Sequence, residues 1–368
     1  MERLASVSNP AHENIGVIGL GIIGRAVAGN LRRKGFPVFV WNRSPRPVPN
    51  FVGSPGELAG LCNYIQIFVS DDQALLHTVE QLAGDLTPRH VVLAHSTVAP
   101  DSMRAAAQIV ERRRARFLEA SFTGSKPAAE KGELVYYVGG TDAALREARP
   151  ILEASSKEIV HIGEIGQASA IKIATNMITA ATVQAAAEAI GLVQASGVPL
   201  EKFVEAMRVN ASYSGTLALK LPKILNREFE PQFSVKHMLK DMQLASQIAL
   251  SHYLDLGVTA AARDQLLEQM QWGHGDADYS AVARKYLHDA SPATYEEPQK
   301  QEQDEQVDAA EPNIDRAESD NVAEAAGLAT SQPLLAFAEP VSKAPVATTR
   351  LRRGFLKQLF SRFSSAQE

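Results

Sequence analysis

Residues 16–35 read GVIGLGIIGRAVAGNLRRKG. Gly19, Gly21 and Gly24 fall in GxGxxG spacing, a weak signal alone. Here the spacing closes a β-branched run, NIGVIGL (14–20), and opens a helical pattern over 24–34. In that setting each glycine has a physical reason. The first permits a tight turn, the second lets backbone approach a pyrophosphate, and the third allows close helix–strand packing. Leu20, Ile22 and Ile23 belong to the same candidate site, because the helix N-terminus is left facing the phosphates. An ordinary Gly-rich turn is the competing reading. The following strand pattern, PVFVWN (37–42), favours a dinucleotide.

The alternation continues to residue 165. YIQIFVS (64–70), HVVLAHS (90–96), ARFLEAS (115–121) and ELVYYVGG (133–140) read as strands, with helical patterns at 72–83 and 100–114. This implies βαβ crossovers and a largely parallel α/β sheet over 14–165. From Gly166 the pattern changes to one Ala-rich helix, 166–194, apolar almost all round and expected to be buried on most sides. Residues 199–290 show helical patterns and no convincing strand, so 166–290 is expected to be all-α. Residues 1–13 read as a flexible N-terminus. Residues 291–349, acidic and Gln-rich and then Ala/Pro-rich, read as disordered linker. In RLRRGFLKQLFSRF, Leu351, Phe355, Leu359 and Phe363 recur every four residues among arginines and a lysine. Residues 350–368 therefore suggest a basic amphipathic helix able to dock on a membrane surface or a protein assembly.

Bulk properties set limits. The chain has 368 residues, 45% hydrophobic and 21% charged, with net charge −5. That is ordinary for a globular protein and gives no basic field for nucleic acid. The single cysteine, Cys62, rules out an internal disulfide framework and fits a reducing, cytoplasmic setting. No signal core is evident, and no run of about 18 apolar residues is expected to span a bilayer. The histidines form no metal-ligand pattern.

Ligands of doubly wound sheets bind beyond the carboxyl ends of the strands. The second strand ends in WNRS, with Asn42, Arg43 and Ser44 where Asp or Glu usually binds a ribose 2′-hydroxyl. A guanidinium pairs with a 2′-phosphate that a carboxylate would repel, which favours NADP(H) over NAD(H); a solvated loop arginine is the bland alternative. Later strand ends bring Val69, Ser70 and Asp71, then Ser96 and Thr97, to the same crevice. Their hydroxyls equally suit helix capping.

AIKIATN (170–176) puts Lys172 inside the apolar helix with Asn176 one turn later. A buried ammonium is costly without a partner or a task, and a lysine snorkelling from a helix edge is the alternative. LKDMQ (239–243) reads equally as a solvated helix face.

Taken in order, GLGIIG, NRS, STVAP, TGSKPAAEKGEL, GQASAIKIATN and LKDMQLA resemble the motifs of the β-hydroxyacid dehydrogenase family over roughly 14–290. GSKPAAEKGEL, FSVKHMLKDMQLA and DYSAV look most like its glyoxylate/succinic semialdehyde reductase branch. The resemblance implies a Rossmann domain joined by a long helix to an all-α domain, and a homodimer or homotetramer. It implies Lys172 and Asn176 as catalytic and substrate-binding residues. Thr123, Gly124, Ser125 and Phe233 would bind substrate, and Lys240 would serve cofactor and substrate. The implied reaction is NADPH-dependent reduction of a small carboxylated aldehyde or keto acid. An oxidising, NAD-dependent 3-hydroxyisobutyrate-type enzyme and a noncatalytic cofactor-binding scaffold are the rivals. Thr123 departs from the branch, which usually has Ser, and no Pro precedes the hydroxyl segment.

Overall fold

The computed structural model describes residues 13–287. The linker and the basic C-terminal segment, like residues 1–12, lie outside them. The glycine turn sets the geometry. β1 (Ile15–Ile18) is buried throughout and ends at Gly19, φ +93°, where an added Cβ would sit 2.0 Å from the Phe68 carbonyl oxygen. Only glycine can turn the chain there into α1 (Ile22–Arg33). Gly24 is equally constrained, its Cβ position lying 2.0 Å from the Gly19 carbonyl oxygen.

The chain then runs β2 (Val38–Trp41), α2 (Pro55–Leu61), β3 (Tyr64–Ile67), α3 (Asp72–Ala83), β4 (Val91–Ala94) and α4 (Pro100–Glu111). β5 (Arg116–Thr123), α5 (Ser125–Lys131), β6 (Leu134–Gly139), α6 (Asp142–Glu153) and β7 (Ser156–Gly163) complete the sheet region. The order is β2-β1-β3-β4-β5-β6-β7, parallel except for the antiparallel β5–β6 pair. Buried clusters cover both faces, one around Val17, Leu93 and Leu118 and one around Ile65, Val92 and Met103. This explains the continuous apolar runs of the central strands. The order reverses at β1, where a crevice is expected beyond the strand ends.

Four elements were not legible. β7 is an edge strand with Lys157, Glu158 and His161 exposed, so it lacks alternation. Pro150 inside α6 reads as a breaker, and α2 and α5 have only seven residues each.

Past Gly163 the described chain is helical: α7 (Gln167–Ala195), α8 (Leu200–Arg208), α9 (Gly215–Leu225), α10 (Val235–Ser251), α11 (Gly257–Gln271) and a 3-10 segment, Tyr279–Tyr286. They enclose a second core around Val183, Ile190, Leu221, Met242 and Val282. All described residues belong to one compact unit. Two expectations for α7 need correction. With mean hydropathy 1.2 over its best window, it is long and apolar enough to cross a bilayer, yet it packs as a core helix. It is also not buried on most sides, since Ile171, Ile178 and Leu192 stand exposed along it.

α7 is tied to the sheet by a buried carboxylate. Glu119 of β5, fully buried, accepts the Gly166 N–H at 2.6 Å and the N–H groups of Ser169 and Ala168. The Gln167 N–H goes to the Glu164 carbonyl. The first-turn donors of a helix have no intrahelical acceptor, and here each has found one. Burial raises the Glu119 pKa, opposed by these bonds. Glu119→Gln turns an amide NH₂ toward backbone N–H groups. It should lower stability at pH 7 by about 1–3 kcal/mol in denaturant melts.

Candidate active site

The crevice beyond β1 is shaped for a phosphate. Gly21 is extended, its N-cap position has no side-chain hydrogen bond, and a Cβ there would meet nothing within 4 Å. Leu20, Ile22, Ile23 and Gly24 complete the turn. The first turn of α1 has no acidic residue, so its orphan N–H groups face an open hollow that a pyrophosphate fits.

Asn42 braces this loop: its Oδ1 accepts the Leu20 N–H at 2.9 Å and its Nδ2 donates to the Ser44 carbonyl at 2.8 Å. Arg43, Ser44 and Arg46 are exposed at the rim. Ser96, buried, accepts the Val69 N–H at 3.0 Å and so laces the ends of β3 and β4. Asp71 caps α3 by accepting the Ala74 N–H at 2.8 Å, and Ser70 donates to it at 2.6 Å. Burial pushes the Asp71 carboxyl up. The Ser70 and Ala74 bonds and the charges of Lys240 and Arg43 outweigh that and hold it low. Ser96 and Asp71 are thus structural first, as their capping chemistry allowed. His95 is fully buried and stacked on Phe68 at 4.3 Å; burial takes its pKa down to about 3, which excludes it as an acid.

α7 and α10 meet beside this crevice. Lys172 Nζ donates to Asn176 Oδ1 at 2.9 Å, and Asn176 Nδ2 donates to Asp241 Oδ2 at 2.6 Å. The other Asp241 oxygen lies 2.9 Å from Lys240 Nζ, which also bonds the Thr97 carbonyl of the Rossmann side. Lys172 therefore does not snorkel. It is half-buried and partnered, at the head of a hydrogen-bond chain running Lys172 to Asn176 to Asp241. Burial lowers its pKa to about 8; Lys240 adds to the lowering and Asp241 opposes it. An ammonium so placed can lose its proton near neutral pH, as a general acid must.

β5 ends in Thr123. Gly124 has φ +129°, where a Cβ would lie 2.8 Å from that of Ala128. Ser125 opens α5 at φ +59°, a left-handed conformation uncommon outside glycine. Its hydroxyl reaches the Gln232 carbonyl at 3.4 Å, next to Phe233, whose ring stacks on His237 at 6.2 Å. Thr123, Gly124, Ser125 and Phe233 thus form a lip joining the sheet region to α10.

Asp241 is the site residue underread from sequence, where it was only the neighbour of Lys240. Its signal was position: Met238, Asp241, Met242 and Ala245 share the buried face of α10.

A model of the NAD-binding domain of 6-phosphogluconate dehydrogenase matches residues 14–163. A model of the NAD-binding region of NADP-dependent 3-hydroxyisobutyrate dehydrogenase matches 166–286. Glyoxylate/succinic semialdehyde reductase 2 (chloroplastic) of Arabidopsis thaliana is 30% identical over 279 residues, 73% of this chain and 78% of that one. The chain belongs to the β-hydroxyacid dehydrogenase family. As a member it is an NAD(P)-dependent oxidoreductase acting on CH–OH groups. Glyoxylate/succinic semialdehyde reductase 1 of the same plant is 29% identical over 278 residues, 73% of this chain and 96% of its own length. A Mycobacterium tuberculosis 3-hydroxyisobutyrate dehydrogenase solved with L-serine shares the fold of this β-hydroxyacid dehydrogenase. Its TM-score is 0.68 at 23% identity, covering 75% of this chain and all of that one.

The proton chain predicts a pH profile. If Lys172 gives up a proton during reduction, kcat/KM should be flat at low pH and fall as pH rises through about 8. Asp241 supports the charged lysine, so Asp241→Asn should move that limb to lower pH in steady-state assays. An unmoved limb would remove Lys172 from the acid role.

Proposed function

We propose that the chain is an NADPH-dependent reductase of small carboxylated aldehydes or keto acids, of the glyoxylate or succinic semialdehyde type. The observation that carries this is the Lys172–Asn176–Asp241 chain set between a phosphate cradle and a hydroxyl lip. A reduced nicotinamide dinucleotide, its pyrophosphate held by the Gly19–Gly21–Gly24 turn, would supply the hydride for the carbonyl carbon. The protein's own residues handle the charge that develops on the oxygen. Lys172 polarises the carbonyl and donates the proton to the incipient alkoxide in a site where electrostatic stabilisation is strong. Asn176, its amide fixed by Asp241, keeps Lys172 aimed. Thr123, Gly124 and Ser125 hold the substrate carboxylate through hydroxyl and backbone N–H groups, with Phe233 as the apolar wall. Lys240 adds positive charge between Thr97 and Asp241, toward nicotinamide and carboxylate.

Arg43, exposed beside Asp71, supports the preference for NADPH, and no carboxylate at position 42 opposes a 2′-phosphate. Oxidation of a 3-hydroxyisobutyrate-type substrate with NAD is the second reading, favoured by the structural likeness but not by Asn42. The intact catalytic pair weighs against a noncatalytic scaffold.

Lys172→Ala should reduce turnover of glyoxylate or succinic semialdehyde by about 10²-fold or more while NADPH affinity holds. Surviving turnover would sink the assignment. Arg43→Ala should raise the KM for NADPH and leave that for NADH unchanged.

The apolar stripe of α7, with Ile171 41%, Ile178 69% and Leu192 70% exposed, supports a homodimer or homotetramer built on this helix. Sedimentation should return a multiple of 39.7 kDa, reduced to the monomer by Ile178→Asp.

A further inference from the structure

Away from the proton chain, the helical side holds a second buried ion pair that the mechanism does not use. Lys220 of α9 and Asp278, each 2% exposed at the side chain, pair at 2.8 and 2.9 Å through both carboxylate oxygens. A buried pair is weak evidence of stability, since apolar residues of similar volume often replace one at no cost. What distinguishes this pair is where its remaining bonds go. One Asp278 oxygen accepts the Ser280 N–H at 3.1 Å and hydroxyl at 2.7 Å. The other accepts the backbone N–H groups of Gln232 at 3.1 Å and Phe233 at 3.2 Å. Lys220 also donates to the Gln232 side chain at 3.1 Å, and the Tyr279 N–H donates to the Phe233 carbonyl at 2.9 Å.

Gln232 and Phe233 form the helical half of the lip that faces Ser125. With their N–H groups aimed at Asp278, the Gln232 carbonyl points to the Ser125 hydroxyl. We propose that Asp278, neutralised by Lys220, is a positioning residue that fixes the Gln232–Phe233 backbone and thereby the pocket for the substrate's carboxylate end. This rests on the reductase reading above. Neutralisation matters as much as the bonds, because an unpaired buried carboxylate near the lip would repel an anionic substrate. The Lys172–Asn176–Asp241 chain stands on other contacts, so Asp278 should govern substrate capture more than the chemical step.

The test uses the full chain and two variants, Asp278→Asn and the double variant Lys220→Met/Asp278→Leu. The double variant removes both charges together, so that neither is left buried and unpaired. For folded variants, KM for glyoxylate should rise about tenfold with kcat within about twofold, and NADPH affinity should be unchanged. KM for glycolaldehyde, which lacks the carboxylate, should move by less than about twofold. Hydrogen exchange at the Gln232 and Phe233 amides should quicken in both variants without any substrate. A double variant with wild-type melting and wild-type KM for glyoxylate overturns the proposal, as does unchanged exchange at 232–233. Quickened exchange in a protein whose wild type reduces no carboxylated aldehyde would overturn the reductase reading and leave the lip's anchoring intact.

Discussion

The helix that carries Lys172 and Asn176 hangs on one carboxylate at its base. Glu119 lies under the N-terminus of α7 and receives the backbone donors that the helix cannot satisfy itself. The bond set fixes the rotation and height of α7 on β5. Lys172 and Asn176 lie within the next three turns, so their placement against the crevice is inherited from Glu119. A capping side chain local to α7 would have anchored the helix only to itself. A carboxylate supplied by the sheet anchors it to the strands whose carboxyl ends form the cofactor crevice. The arrangement also sets a charge at the positive end of the helix dipole, where it is favoured.

Around this anchor, positive charge is distributed by pairing. Lys172 and Lys240 would repel each other if alone, and Lys240 lowers the cost of deprotonating Lys172. Asp241 stands between them, ion-paired with Lys240 directly and linked to Lys172 through Asn176. The outcome is a lysine of reduced but not abolished basicity in a site with net positive charge. Such a site suits an anionic substrate and a transition state that builds negative charge on oxygen.

Much of this was legible from residue order. The glycine turn, the alternation of strands and helices, and the break at Gly166 each follow from strong local constraints: a positive φ, strands buried on both faces, and an Ala-rich run. Lys172 was conspicuous as a charge in an apolar helix, while its pairing with Asn176 came with the family resemblance; the structure brings the two together at 2.9 Å. The edge strand β7 was not, since half-exposed strands lose the alternating pattern. Glu119 was not, because an acid in a strand sequence carries no mark of the distant helix that it caps. Asn42, Ser96 and Asp71 were read as cofactor residues, and their side chains brace loops and cap α3; sequence alone cannot apportion a polar group between those duties. The open face of α7 escaped for a related reason: apolar composition states that a surface avoids water, not what covers it.

The hydrogen-bond chain from Lys172 to Asp241 has a direction. The asparagine accepts on one side and donates on the other, so neither an aspartate nor a reversed amide can stand in for it. Three positions on two helices are thereby locked to one another, and change at any of them needs compensation at the others. Thr123 is under no such lock. It ends β5 and takes no part in the hydrogen-bond chain. A change at Thr123 therefore leaves the chain intact, whereas one at Lys172, Asn176 or Asp241 breaks it.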